Sequence, residues 1–271
     1  MAHPFQPRLC MSAVLLSILV VLGSTVVAVA GMLFVRQRFA LDELRSHHEV
    51  AGYLLSVVGT LYAVLLGLVV VDVQSKHQQA RMMEETEASA IADLFHIVNA
   101  FPDKPRNTIQ QDLVHYVSVV LDYEWSNAES PEKATLSTGP VRDVWTVLNN
   151  YEPKTSREQA SYQQALATLT QIADSRRFRI ISARSNISPV LWGVLLSGGI
   201  LTILFTYFFG LESLRSHIIM TSMLTVCISL NVLLVVLYSN PYRGDLQVQP
   251  SGFKYDQHAF QEMLNERDPP K

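Results

Sequence analysis

The stretch from Gly52 to Gln74 constrains the fold more than any other part of the chain. It reads GYLLSVVGTLYAVLLGLVVVDVQ, and it is long and apolar enough to cross a membrane, since about 20 apolar residues suffice. On a helix, alternate steps of four and three residues select one face that carries almost no large side chains. Its members are Gly52, Ser56, Gly59, Ala63, Gly67, Val70 and Gln74. Such a face either packs closely against another helix, because small residues let backbones approach in lipid, or lines a narrow conduit in a symmetric assembly.

Composition supports a membrane protein with a substantial polar part. Of the 271 residues, 49% are hydrophobic and 17% are charged, and the charged residues are segregated from the apolar runs. The formal net charge of −3 gives no basic character, so nucleic acid is not an expected partner. Cys10 and Cys227 both lie in apolar runs, which argues against a disulfide framework and a thiolate metal site.

Four apolar runs predict an all-α polytopic membrane protein. The crossings are expected at about 9–35, 49–73, 189–209 and 217–239, with a polar insert at 74–186 and a tail at 240–271. The first run is longer than the roughly 7–15 residues of a signal-peptide core, so we expect it to stay in the membrane. The alternative is cleavage after the small residues Ala28-Val29-Ala30.

The second run continues beyond the width of a bilayer. No Gly or Pro follows Gln74 until Pro102, and apolar or small residues keep a helical period through this stretch. The positions in phase are Ala80, Met83, Glu87, Ala90, Leu94 and Ile97. We therefore predict one helix of roughly 50 residues, whose second part begins the insert.

The rest of the insert is predicted to be helical as well. Asn107 or Thr108 can cap an amphipathic helix after Pro102 and Pro105. Its apolar face contains Ile109, Leu113, Tyr116, Val117 and Val120. Thr155 and Glu158 have the spacing of a capping box, which predicts another helix from that point.

Positive charges near the crossings predict the orientation. Most of the Lys and Arg residues fall on the side shared by both termini and the insert, and such residues favour the cytoplasmic side. We therefore expect a multi-pass protein with cytoplasmic termini and a cytoplasmic insert.

The sequence offers no recognised catalytic motif. It lacks a Gly-rich phosphate loop, a G-x-S-x-G elbow and an H-E-x-x-H pair, so we expect neither an enzyme nor a cofactor, and we assign no catalytic residue. His47, His48 and Glu49 are adjacent and point in different directions on a helix, which favours interfacial polar residues over a metal site. The carboxylates of Glu84, Glu85 and Glu87 either form a solvated face or collect a cation.

The crossings themselves are predicted to carry no ionisable side chain, only hydroxyls, glycines and Asn231. Buried charges mark proton relays and coupled transport, so a passive pore fits better than a coupled carrier. Asn231 either lines such a pore or forms a hydrogen bond to a neighbouring helix.

Four arginines, Arg176, Arg177, Arg179 and Arg184, form the strongest electrostatic feature of the sequence. At a cytoplasmic surface they would attract anionic lipid headgroups, at roughly 1 kcal/mol each, or concentrate permeant anions at a pore mouth. The third reading is a simple topological anchor.

Five segments, in order, resemble the bestrophin-like family, long catalogued as a domain of unknown function. They are HHEVAGYLLSVVGTLYAVLLGLVVVDV with EETEASAIADL, the stretch Tyr116–Trp125, RRFRI at Arg176–Ile180, ISPVLW at Ile187–Trp192 and PYRGDLQVQPSGF at Pro241–Phe253. The resemblance implies four crossings with a helical cytoplasmic insert between the second and third. The bestrophin-like family is itself distantly similar to the bestrophins, which are pentameric anion channels lined by their second crossing.

That resemblance implies a homo-oligomeric pore, a pentamer where it follows the bestrophins, that passes small inorganic anions through the bilayer. It would place Ser56, Gly59, Ala63, Gly67, Val70 and Gln74 along the pore. This chain has Gln74 where the family often has Trp, and nothing after its fourth crossing resembles the acidic calcium clasp of bestrophins. A different class of function is a membrane-anchored interaction or sensory module whose cytoplasmic helices bind a partner.

Overall fold

The described residues of the structure, a computed structural model, are 7–39, 48–125, 139–184, 187–209, 211, 213–242, 244 and 246–267. Within these ranges every regular element is helical, as the sequence predicts. The α-helices are α1 (Pro7–Arg38), α2 (His48–Ile97), α3 (Asp103–Val119), α4 (Gly139–Asn149), α5 (Ser156–Arg184), α6 (Pro189–Tyr207), α7 (Leu214–Tyr238) and α8 (Ser251–Arg267). A 3₁₀ turn at Val98–Ala100 follows α2, and a π-helical turn at Val120–Glu124 follows α3.

Four of these helices, α1, α2, α6 and α7, are long and apolar enough to cross a membrane. Helix α2 has 50 residues, the length predicted from the absence of Gly and Pro, and its apolar part comes first. The predicted start of α3 at Asn107 or Thr108 is late, because α3 begins at Asp103. Pro105 is tolerated in this first turn, where a backbone N–H has no helical partner to lose.

The chain divides into two compact units. The first comprises Met1–Ser75, Ile187–Ser239 and Gly244–Leu246, and the second comprises Lys76–Asn186, Asn240–Arg243 and Gln247–Lys271. The segment 40–47 between α1 and α2, which includes His47, lies outside the described residues, as does the 126–138 segment of the insert.

The first unit is built around close contacts among its apolar helices. Ser24 of α1 and Ser229 of α7 are joined by a hydrogen bond of 2.8 Å between their hydroxyls. Met32 and Ala28 of α1 are buried, at 1% and 4% exposure. Many leucines on the other faces are exposed, as expected for side chains that contact lipid.

The second unit has its own apolar core. Helices α3, α4, α5 and α8 and the later part of α2 contribute to it. Phe95 of α2 stacks on Phe260 of α8 with ring centroids 4.2 Å apart, and Tyr116 of α3 is almost fully buried. The tail was predicted only as a mixed-polarity segment, but Phe253 and Phe260 occupy one face of a regular helix there.

Candidate functional site

A groove of about 510 Å³ runs along the small-residue face of α2 in the first unit. Four of the six predicted pore-lining residues border it, namely Ser56, Gly59, Ala63 and Gly67. Thr202 of α6 borders it as well, together with Leu224, Cys227, Ile228 and Asn231 of α7. One face of α2 and parts of two other helices therefore enclose one space.

The other two predicted residues lie elsewhere. Val70 packs against the apolar core of the first unit, and Gln74 is exposed beyond the groove. Within a single chain, the predicted pore-lining set is thus brought together only from Ser56 to Gly67.

Two glycines of this face, Gly59 and Gly67, have no close neighbour among the described residues. A Cβ atom added to Gly59 or to Gly67 would meet nothing within 4 Å. Two glycines of α6, Gly198 and Gly199, behave differently, since a Cβ on Gly198 would lie 2.6 Å from Cδ2 of Tyr62. Close helix packing through glycine therefore occurs at Gly198, whereas the α2 face is open.

The polar groups of the groove are neutral. Thr60 donates its hydroxyl to the Ser56 carbonyl at 2.7 Å, and Thr202 donates to the Gly198 carbonyl at 2.8 Å. Their hydroxyl oxygens keep lone pairs that can accept hydrogen bonds. No Asp, Glu, Lys, Arg or His is among the residues that border the groove.

Asn231 makes a different hydrogen bond from the inter-helical one considered above. Its amide donates to the Cys227 carbonyl of its own helix at 2.9 Å, the i to i−4 bond that short polar side chains form in helices. The amide oxygen of Asn231 is therefore not engaged by that bond.

Ionisable residues at the ends of the crossings were missed by the sequence prediction. Asp72 is exposed on α2, close to the predicted end of the second crossing. His217 is 3% exposed inside α7, where its Nε2 lies 2.9 Å from the Thr206 carbonyl. Because α7 begins at Leu214, the histidine belongs to the helix and not to the preceding turn.

A second, apolar pocket of about 430 Å³ lies in the same unit. Leu16, Val20, Leu195 and Ile203 contribute to its walls. Tyr62 and Ile228 border both this pocket and the groove, so they form the wall between the two spaces.

The second unit contains a buried ionic cluster that joins three of its elements. Arg179 of α5 donates to both carboxylate oxygens of Glu87 on α2, at 2.7 and 2.9 Å, and to Glu124 at 2.7 Å. Arg176 completes the cluster with a 2.6 Å contact to the other oxygen of Glu124. Both glutamates are at most 2% exposed, so the charges are paired away from water.

Aromatic groups and hydrogen bonds enclose this cluster. The Arg179 guanidinium lies 5.6 Å from the ring centroid of Trp125 and 5.7 Å from that of Phe253. Tyr116 donates its hydroxyl to Glu87. Burial, and then the charge of Glu87, raise the pKa of Tyr116 well above its usual value. Burial alone would lower the pKa of Arg179, but Glu87 and Glu124 outweigh it and hold that pKa well above its usual value.

The exposed placement predicted for several charged residues is therefore wrong. Arg176 and Arg179 are 9% and 5% exposed, because they compensate buried carboxylates. Glu84, predicted as part of a solvated face, is fully buried, and so is Glu87, whose phase on α2 had placed it near the inner side. Arg177 is exposed and lies 4.0 Å from Asp174, and the side chain of Arg184 lies outside what the structure describes. Attraction of lipid or anions by the arginines stays a prediction.

Across the residues that the structure describes, no three His, Cys, Asp or Glu side chains come together in a way that could hold a metal ion. The carboxylates of the cluster are matched by guanidinium groups instead. The cluster therefore holds helices together and offers no vacant cation ligand.

Known proteins support this architecture. The bestrophin-like domain matches residues 22–253. A variant of a bacterial bestrophin homolog from Klebsiella pneumoniae has a similar structure, with a TM-score of 0.64 at 15% identity over 89% of this chain and 99% of that one. Another crystal structure of that homolog gives a TM-score of 0.63 at 13% identity over 90% of this chain and 97% of that one.

A crystal structure described only as a membrane protein gives a TM-score of 0.67 at 13% identity and covers 90% of this chain and 98% of that one. Among curated proteins, none matches the chain. At these identities the structures support the fold alone, whereas the domain match spans most of the sequence. The chain therefore belongs to the bestrophin-like family.

Proposed function

We propose that the protein is a passive, homo-oligomeric anion channel whose pore is lined by the small-residue face of α2. The observation that carries this proposal is the open groove at Ser56, Gly59, Ala63 and Gly67. No described residue of the same chain fills the space next to Gly59 and Gly67. A face of this kind completes its surroundings with another copy of the chain or with a water-filled path.

The chemistry of the groove fits passive movement of small ions. Its polar groups are hydroxyls and the Asn231 amide, and it contains no carboxylate that would repel an anion. Apolar constrictions in such a path can gate by dewetting. The choice of anions over cations rests on the distant similarity to bestrophins, together with this absence of acidic groups from the groove.

Self-association is supported by apolar side chains on the second unit. Phe178 and Ile181 of α5 are 56% and 55% exposed, and Met82 of α2 is 57% exposed. Exposed apolar groups outside a membrane mark interaction surfaces when they cluster. We propose that they contact another copy, that the oligomer is a pentamer as in bestrophins, and that the termini and the second unit are cytoplasmic.

The test is ion flux through liposomes that contain the purified full-length protein. Chloride, nitrate and potassium gluconate gradients would be applied while the oligomeric mass is measured in parallel. Flux of chloride and nitrate but not gluconate from an oligomer supports the proposal. Vesicles that stay sealed to all three ions, although the protein is oligomeric and folded, contradict it.

Substitutions on α2 locate the pore. Gly59→Trp and Ala63→Trp place a large ring in the groove, and we expect flux to be lost while assembly is retained. The matched control is Leu61→Trp, since Leu61 is 67% exposed and lies outside the groove. Full flux in both groove variants would remove the pore assignment.

The second candidate is a membrane-anchored interaction module. The exposed Phe178 and Ile181 also favour it, because the same surface suits a different protein. A sealed vesicle, combined with a monomeric mass, would support this alternative, and the second unit would then be used to find the partner.

A further inference from the structure

A second pair of carboxyl groups lies close to the start of α8, separate from the ionic cluster. Glu84 of α2 and Asp256 of α8 are 0% and 4% exposed. Glu84 accepts a hydrogen bond from the Gly252 backbone N–H at 2.8 Å through one carboxylate oxygen. The other oxygen of Glu84, and Oδ2 of Asp256, are buried without a hydrogen-bond partner.

The geometry of α8 directs Asp256 towards Glu84, whose charge acts on it. Asp256 follows Gly252 by four residues, so both lie on one face of the helix. Helical side chains lean towards the N-terminus, which directs Asp256 back to the turn that contacts Glu84. Helices α2 and α8 are very close here, because a Cβ on Gly252 would lie 2.7 Å from the Ala88 Cβ.

We propose that Glu84 and Asp256 form a proton-binding site, in which one shared proton joins the two carboxyl groups and holds α8 against α2. A protonated Asp256 donates its O–H to the unpartnered oxygen of Glu84. That single bond satisfies both buried oxygens. Two ionised carboxylates in the same place would repel each other at a buried position, so only one ionises readily.

Among the described residues, no cationic side chain compensates the pair. The backbone N–H groups of Gly252 and Phe253 favour the ionised form of Glu84, but burial outweighs them and raises the pKa of Glu84. Glu85 and Glu87 on α2 add negative charge near Glu84, and Arg179 is already paired with Glu87 and Glu124. Tyr242, in the segment before α8, is buried, and its pKa is raised chiefly by burial. Lys254 and His258 of α8 are exposed, and neither Glu84 nor Asp256 has an ion-pair partner among the described residues.

The pKa of Asp256 shows in which direction pH changes the attachment of α8 to α2. Burial, and then the charge of Glu84, raise the pKa of Asp256 from 3.8 to about 7. A raised pKa means that the folded protein binds the proton more tightly than a detached α8 does. Attachment of α8 is therefore strongest below about pH 4, weakens as the pH rises towards 7, and changes little above that.

The experiment measures hydrogen–deuterium exchange of the α8 amides in the full-length protein between pH 4 and 9, corrected for intrinsic exchange. We expect protection to fall by up to about tenfold per pH unit below pH 7 and then level off. Asp256→Asn removes the titration of Asp256, so its protection should vary much less with pH; Glu84, whose pKa is also raised by burial, still titrates. Glu262→Gln, an exposed carboxyl on the same helix, is the matched control and should behave like the wild type.

Two results would overturn the proposal: protection in the wild type that does not change with pH, or an unchanged pH dependence in Asp256→Asn. Since Asp256→Asn can fail to fold, Glu84→Gln gives an independent test. In that variant burial still raises the pKa of Asp256 but the charge of Glu84 no longer does, so protection should level off at a lower pH than in the wild type. Repeating the wild-type series with Ca²⁺ separates a proton from a cation. If Ca²⁺ restores protection above pH 7, the pair is a cation site and the proton proposal is wrong.

Discussion

Arg179 contacts both oxygens of the Glu87 carboxylate, with its Nε 2.7 Å from one and an Nη 2.9 Å from the other. The two residues are 92 positions apart in the sequence. This bidentate pair, with Glu124 as a third member, connects α2 to α5 inside the second unit. Paired in this way, buried charges are tolerated, but either partner alone is costly.

The first prediction concerns the loss of that arginine. Arg179→Met leaves the buried Glu87 carboxylate without a cation, and Glu124 keeps only Arg176, so we expect the free energy of unfolding to fall by about 3–5 kcal/mol. Arg177→Met is the matched control, because Arg177 is exposed and should change stability by less than about 0.5 kcal/mol. Chemical denaturation in detergent measures both, and equal effects would show that the buried cluster does not stabilise the unit.

The contact between Gly198 and Tyr62 gives the second prediction. Gly198→Ala places a Cβ 2.6 Å from the Tyr62 ring, and such overpacking costs about 1–3 kcal/mol. Gly193→Ala meets no atom within 4 Å and should be neutral or slightly stabilising. Thermal unfolding of the two variants would be compared, and a Gly198→Ala protein as stable as Gly193→Ala would contradict the close packing.

Cys227 provides a natural probe of the groove. It is a free, exposed cysteine on the groove wall, so a charged methanethiosulfonate reagent should reach it if water fills the groove. We expect modification to reduce anion flux through reconstituted vesicles severalfold.

Cys227→Ala is the control for that measurement, since it retains Cys10 and should conduct without responding to the reagent. If Cys227 of the wild type is modified and the anion flux does not change, ions do not pass along this wall.

The exposed apolar residues of α5 predict the behaviour of the oligomer. The double variant Phe178→Glu with Ile181→Glu introduces charges where a partner copy would bury apolar side chains, so we expect dissociation towards the monomer. Gln164→Glu changes an exposed polar residue of the same helix and should leave the mass unchanged. Native mass spectrometry measures the oligomeric mass of both variants. An intact oligomer in the double variant would place the interface elsewhere.

The N-terminus of α5 should respond to acid. Glu158 accepts hydrogen bonds from the Lys154 N–H at 2.9 Å and from the Tyr151 hydroxyl at 2.7 Å, and these lower the pKa of Glu158 from 4.5. A lowered pKa contributes stability above pH 4.5 that is lost as the pH falls through the folded value.

Amide exchange in the first turn of α5 should therefore accelerate below about pH 4.5 in the wild type. Glu158→Gln should abolish this acid response, whereas Glu152→Gln, at an exposed position, should retain it. An identical acid response in all three proteins would show that Glu158 does not hold this turn.

The length of α2 was predictable because it depends on local sequence. No Gly or Pro interrupts it before Pro102, and its inner face follows a regular period through Ala90 and Leu94. Likewise, the capping prediction at Thr155 is confirmed by the hydrogen bond from the Glu158 N–H to the Thr155 hydroxyl at 3.1 Å. Glu158 itself, however, bonds to Lys154 instead of closing the reciprocal box.

The burial of Arg179 and Glu84 was not predictable in the same way. A charged residue on a helix is predicted to face solvent unless its partner is known. The partners here come from distant parts of the chain. Helix α8 had a weak signal, since Phe253 and Phe260 are seven residues apart, or about two helical turns, but the polar residues between them obscured it. The small-residue face of α2 was visible in the sequence, but the residues of α6 and α7 that border it were not.

The position of Tyr62 has a consequence for how molecules could enter the first unit. Its ring, with Ile228, separates the groove, which carries several neutral polar groups, from a pocket lined mainly by leucine, isoleucine and valine. Truncation at Tyr62 would open a lateral fenestration, joining a space suited to water with one suited to an acyl chain. A lipophilic blocker dissolved in the bilayer would then reach the groove laterally, without passing through either aqueous mouth.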